Sequence, residues 1–274
     1  MIETELGTLR RSHYSDEINS SMDGTQVTVM GCVCTIRGHG NISFSILVYK
    51  KGDLSIVAKK GDCPDDIREK ISSLKAHSSI AIIGNVKASE KASSGYEIIP
   101  TELRVFSDVE KIPPFEPTVK TVKNIDTRLE VRPIDLRRDV LQHIFKTRSL
   151  VLKSIREYFG NQNFVEINTP KMIATATEGG AALFPIFYYN KEAFLAQSPQ
   201  LYKEQLTMSF EKVFEIAPIF RAETSRTNRH LAEAISIDLE EAFVDYNDVM
   251  NRIEEIIKVS IQTVNDYVKD NPGS

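Results

Sequence analysis

Between Thr25 and Val105 the apolar residues come in short runs rich in Val, Ile and aromatics, broken by Gly, Asn, Asp and Lys. The runs VTVMGCV (27–33), ISFSILVY (42–49), LSIVAK (54–59), SIAIIGNV (79–86) and YEIIPTELRVF (96–106) read as five strands. Between the third and fourth, Asp65 to Leu74 has helical spacing, and Asp65 and Asp66 after Pro64 suit a helix N-terminus. Five strands with one helix in that place is the layout of an OB-fold barrel. Beyond residue 138 the period changes. Leu141, Ile144, Phe145, Leu152, Ile155 and Phe159 recur at helical spacing over Asp139–Phe159, with Gly160 as the expected C-cap. FVEINTPKM then reads as a strand stopping at Pro170. Two longer strands, 212–223 and 234–243, are expected to pair as an antiparallel hairpin, followed by a helix over Asp248–Val268 with Val249, Ile253, Ile256, Ile257, Val264 and Val268 on one stripe.

Pro113, Pro114 and Pro117 remove backbone donors between these two regions. The organisation expected is a barrel over 1–111, a linker or hinge over 112–138, and an α+β domain built on an antiparallel sheet over 139–274. The 274 residues, 41% hydrophobic and 26% charged, suit two globular domains. No apolar run reaches the ~20 residues of a membrane span, and the N-terminus lacks a signal core. With Cys32, Cys34 and Cys63 an odd set at no metal-finger spacing, a cytoplasmic chain with reduced thiols is expected. The net charge of −4 excludes binding nucleic acid through bulk charge, so any such contact must use local groups.

Chemistry concentrates on the hairpin. Strand alternation puts Glu215, Ala217, Ile219 and Arg221 on one face, and Ser236, Asp238 and Glu240 on one face of the partner strand. If those faces coincide, a guanidinium stands among carboxylates, overhung by a loop carrying Arg226, Arg229 and His230. Such a surface suits an anionic ligand that also has a positive group, and an arginine fork matches a phosphate bidentately. A solvated hairpin of salt-bridged pairs would show the same composition.

FRAETSRTNRHLAE, with Phe220, Arg221, Glu223, Arg229, His230 and Glu233, closely resembles motif 2 of class II aminoacyl-tRNA synthetases. FGNQNFVEINTPKM resembles motif 1, with Pro170 its closing proline. ATATEGGAALF (174–184) and FLAQSPQLYKEQL (194–206) resemble the flipping loop and amino-acid site of aspartyl-tRNA synthetases, and DTRLEVRPIDLRR (126–138) resembles that family's segment joining barrel to catalytic core.

The resemblance implies an ATP-dependent aspartate–tRNA ligase, with ATP and Mg2+ and a homodimeric, cytoplasmic enzyme. Its partners would be L-aspartate and tRNA(Asp), with tRNA(Asn) left open. Arg221 would be the catalytic cation, touching both the α-phosphate and aspartate. Ala222, Glu223, Arg229, His230 and Leu231 would complete the ATP site. Glu178, Gln200, Leu201, Tyr202 and Lys203 would hold aspartate, Glu178 on the ammonium and Lys203 on the side-chain carboxylate. Arg37, Phe44 and Ser93 would meet the anticodon, although Phe44 also fits a core aromatic of its strand. No metal ligand is expected within these residues, because the third motif and the magnesium carboxylate of the family are not found here. Ala234 and Ile235 stand where many relatives place an adenine-stacking aromatic. Asparaginyl- or lysyl-type synthetases and a non-catalytic tRNA-binding paralogue are the alternative readings; Lys203 favours aspartate, since an asparagine amide needs no cation.

Overall fold

The computed structural model describes residues 5–39, 42–49, 52–90, 92, 94–111, 113–115, 124–175, 183–223, 227 and 230–271, excluding the side chains of 37–39, 42–49, 52 and 53. The chain divides into two compact units, Met1–Glu116 and Pro117–Ser274.

The first unit is a closed barrel. Strands β1 (Gln26–His39), β2 (Ile42–Tyr49), β3 (Gly52–Lys59), β4 (Ser79–Ala88) and β5 (Tyr96–Ser107) close in the order β1-β2-β3-β5-β4. Helix α1 (Asp65–Ser73) lies between β3 and β4 in sequence and buries Ile67 and Ile71, so the layout is that of an OB fold. Val27, Val29 and Val33 of β1 point into the core, and the next core contact comes from Ile36. The step from 33 to 36 breaks period two, and an irregularity in the β1–β2 register between Val33 and Thr35 absorbs the extra residue. The bulge explains why β1 outruns the expected strand 27–33: a pattern of period two loses phase there. Gly84 marks a close crossing of β4 and β5, since a Cβ there would stand 2.5 Å from the Ile99 carbonyl oxygen.

The second unit opens with α2 (Ile125–Glu130) and α3 (Arg132–Asp135), two short helices within the stretch that resembles a joining segment. Fully buried Asp135 ties them together. It accepts from Arg128 Nε at 3.1 Å and from Arg132 Nη1 at 2.6 Å, with Arg138 at 3.7 Å. The hydrogen bond from Arg128 leads in holding its carboxyl below the usual range, and Arg132 adds to the effect. A depressed pKa contributes stability above the unfolded value of about 3.9 that disappears as pH falls through the lower folded value. Asp135→Asn is therefore expected to lower the melting temperature at pH 7. The gap to the parent protein should close as both are melted at pH below 4, and a gap independent of pH would contradict this.

Helix α4 (Asp139–Asn161) runs two residues further than its pattern. Gly160 is not its cap: the chain leaves the helix through Gln162, and the left-handed residue is Asn163, with φ 62°. Asparagine tolerates that conformation, so the turn needs no glycine. Strand β6 covers only Val165–Glu166, because Thr169 turns its amide onto the Glu215 side chain instead of a neighbouring strand. The main sheet has the order β11-β10-β6, with β10 (Lys212–Phe220) antiparallel to β11 (Glu233–Glu241) and parallel to β6. A second small sheet orders β7 (Met172–Ile173), β9 (Lys191–Leu195) and β8 (Pro185–Tyr188). Helix α5 (Gln200–Phe210) connects it to β10.

On one face of the main sheet, Phe214 stacks on Phe159 with centroids 4.4 Å apart, and Ile216, Leu239 and Ile256 pack around them. Ile256 belongs to α6 (Tyr246–Asp270), capped by Asp245 through the amides of Asn247 and Asp248. Only part of the α6 stripe is used, and Ile253 and Ile257 remain about half exposed. Among the described residues, no helix is long and apolar enough to cross a membrane.

Candidate active site

The site is built on the other face of the β10–β11 hairpin. Glu215 stands opposite Asp238 and Ala217 opposite Ser236, so the two polar faces of the strands are one surface. At its loop end the ladder continues one pair further, with the Arg221 amide donating to the Ala232 carbonyl at 3.0 Å. There Ile219, Arg221, Glu223, His230, Leu231 and Ala234 line a cleft of about 400 Å³. His230 Nε2 lies 3.8 Å from Glu223 Oε2, and its Nδ1 is 2.6 Å from Thr227 Oγ1. A partly exposed guanidinium beside a carboxylate and an imidazole can meet an anion and a donor together. Ile219, Leu231 and Ala234 give the cleft its apolar lining.

Further along the same face, Lys203 is buried, reaching in from α5. Its ammonium donates to Asp238 Oδ1 and to the Leu239 carbonyl, each at 3.3 Å, and lies 3.4 Å from Glu240 Oε2 as an ion pair. Gln200, one turn earlier, donates to Glu204, while Leu201 is largely exposed and Tyr202 partly so. Thus Arg221, Glu223, His230 and Leu231 converge on one cleft, with Ala222 next to them in the chain. Lys203 and Gln200 do not line that cleft; Lys203 is turned onto the acids of β11.

Glu178, Arg229 and Ser93 lie outside the described residues, as do Gly179, Gly180 and Arg226. So do the side chains of Arg37 and Phe44, whose backbones are register partners across β1 and β2. Among the described residues no group of three or more His, Cys, Asp or Glu could hold a metal ion.

Sequence reasoning placed Asp238 and Glu240 on an acidic face without seeing that they hold Lys203. It placed Glu215 on that face without seeing that the residue is buried against Thr169, and it gave no role to buried Gln197 and Ser198.

An antiparallel ribbon, β10–β11, thus carries an arginine at its loop end, on a mixed three-stranded sheet packed on the long helix α4. The family described as tRNA synthetases class II (D, K and N) matches residues 124–271, and the chain belongs to it. An aspartate–tRNA(Asp/Asn) ligase of Methanocaldococcus jannaschii is 49% identical over 249 residues, covering 90% of this chain and 57% of that protein. One from Methanococcus aeolicus is 48% identical over 253 residues, covering 92% and 58%. The chain thus spans rather less than two thirds of the length of these relatives. Among solved structures, asparaginyl-tRNA synthetase from Pyrococcus horikoshii with asparaginyl-adenylate superposes with a TM-score of 0.88 at 31% identity, covering 96% of this chain and 60% of that one.

Proposed function

We propose that this chain carries the anticodon-binding barrel and the motif 1 and motif 2 part of an aspartate–tRNA ligase. In that reading, residues 1–111 bind the anticodon through Arg37, Phe44 and Ser93, residues 112–138 act as the hinge, and residues 139–274 contribute to the catalytic domain. ATP enters the cleft between Arg221, Glu223, His230 and Leu231, with Ala222 and Arg229 adding contacts. Aspartate lies between Arg221 and the Gln200–Leu201–Tyr202–Lys203 turn, its ammonium met by Glu178. Its α-carboxylate attacks the α-phosphorus in line; the new P–O bond forms as the bond to the β-phosphate oxygen breaks, and pyrophosphate leaves. Arg221 stabilises the charge that gathers on the phosphoryl oxygens. Aspartyl-adenylate then passes its acyl group to tRNA(Asp), and, as the names of the relatives extend the reading, to tRNA(Asn). The enzyme is a cytoplasmic homodimer requiring Mg2+.

The observation that carries the choice of amino acid is Lys203. Its ammonium donates to Asp238 and to the Leu239 carbonyl and pairs with Glu240, so an incoming aspartate carboxylate exchanges with one of the two carboxylates, like for like. An asparagine amide brings no charge to that exchange. The full-length protein is therefore expected to exchange pyrophosphate into ATP with L-aspartate and more than ~10²-fold less efficiently with L-asparagine. Lys203→Met should abolish the aspartate-dependent signal. A preference for asparagine would move the protein to the asparaginyl branch, whose Pyrococcus horikoshii member has the same fold.

A further inference from the structure

Glu215 is 2% exposed and lies on the site face, directly opposite Asp238. Its carboxylate accepts from the Thr169 amide at 2.6 Å, the Thr169 hydroxyl at 2.9 Å and Lys171 Nζ at 2.8 Å. Lys171 also donates to the Thr169 hydroxyl at 2.8 Å. Two like charges opposed across a ladder repel. Each of these two therefore has its own lysine, Lys171 for Glu215 and Lys203 for Asp238.

The Lys171 backbone leads from this anchor to the site. Its carbonyl accepts from the Ala196 amide at 3.0 Å, and the Ala196 carbonyl accepts from the Phe220 amide at 3.0 Å, one residue before Arg221. Ala196 also begins the buried corner Ala196–Gln197–Ser198. From that corner α5 departs, with the Ser198 hydroxyl accepting from the Gln200 amide and the Pro199 carbonyl from the Lys203 amide. One strut, residues 169–171, thus touches the corner that launches Gln200 and Lys203 directly and reaches the strand end bearing Arg221 through Ala196.

We propose that Glu215 is a positioning residue for the adenylation step: by clamping Thr169 and Lys171 it sets the spacing between Arg221 and the Gln200–Lys203 turn. The inference rests on the aspartate-activating reading above. A buried ion pair is a weak source of stability, since apolar replacements of similar volume are often as stable, so stability alone does not account for this one. Glu215 touches no substrate in this scheme and acts only through Lys171 and Ala196.

The test uses the full-length protein and reads aspartate-dependent ATP–pyrophosphate exchange per titrated active site. With Glu215→Gln, an amide NH2 faces donors and the Lys171 ammonium loses its counter-charge. Displacements of ~1 Å in such sites cost ~10²-fold, so kcat per titrated site is expected to fall at least ~10-fold. Adding Lys171→Met removes the unmatched ammonium and should recover most of the loss. A purely structural role would lower the melting temperature and the fraction of active sites while leaving kcat per titrated site within twofold, and that result overturns the proposal. A double variant no better than E215Q overturns the assignment of the effect to this ion pair. If E215Q cannot be recovered folded, Thr169→Val decides: it removes one hydroxyl from the clamp, a drop of threefold or more supports the proposal, and a smaller one overturns it. A parent protein inactive with aspartate would overturn the functional reading itself; variants unaffected beside an active parent would overturn this inference alone.

Discussion

Arg221→Lys in the full-length protein is expected to slow aspartate-dependent adenylate formation by about 10²–10³, the loss typical of one preorganised contact to developing charge. The guanidinium offers two parallel N–H donors in a fixed plane, so it can hold a phosphoryl oxygen and a carboxylate oxygen together. A lysine ammonium is a point charge on a flexible stem and keeps the attraction without the fork. Arg221 lines the cleft with Glu223 and His230 and is only partly exposed, so solvent screens it incompletely. Single-turnover measurement at saturating ATP and aspartate separates this loss from weakened binding. A rate within tenfold of the parent would remove Arg221 from the centre of the proposed reaction.

Phe159→Ala carries the largest expected cost in stability. The side chain is fully buried, stacked on Phe214 at 4.4 Å and tilted against Phe164 at 5.1 Å. It joins α4 to the apolar face of the sheet whose other face bears the site. Truncating such a phenylalanine costs ~3–5 kcal/mol, against a total stability of ~5–15 kcal/mol for a typical domain. The barrel core is a separate cluster, built on residues such as Leu54, Ile56 and Ile82. Urea unfolding should therefore show a shifted transition for the Pro117–Ser274 unit and an unchanged one for the barrel. A loss under ~1 kcal/mol would mean that this core closes around the cavity, against the usual behaviour of aromatic sites.

The barrel was legible because each strand carries its own signal: period-two apolar residues on a closed sheet, bounded by turn residues. The signal failed at the Val33–Thr35 bulge, where an inserted residue shifts the phase and the pattern no longer tells which residue faces inward. The hairpin was legible for the same reason, with Ile235, Ile237 and Leu239 alternating against Ser236, Asp238 and Glu240. Gly160 misled because a glycine near a helix end resembles a cap, while three residues later Asn163 supplies the left-handed turn. Strand parity and loop position singled out Arg221 and His230, the resemblance added Glu223 and Leu231, and all four line one cleft.

The linear order of residues was enough to determine the barrel strands, helices α1, α4 and α6, the hairpin and which strand faces are polar, because those depend on neighbours two to four positions away; the short elements α2, α3, β7, β8 and β9 and helix α5 carried no such signal. Tertiary structure alone decided that Lys203 is held by Asp238, 35 residues distant, and that Thr169 is clamped by Glu215, 46 residues distant. Periodicity says which residues share a face of one element. Which faces meet depends on how sheet, helix and corner pack, and only packing forces a buried carboxylate to find its cation.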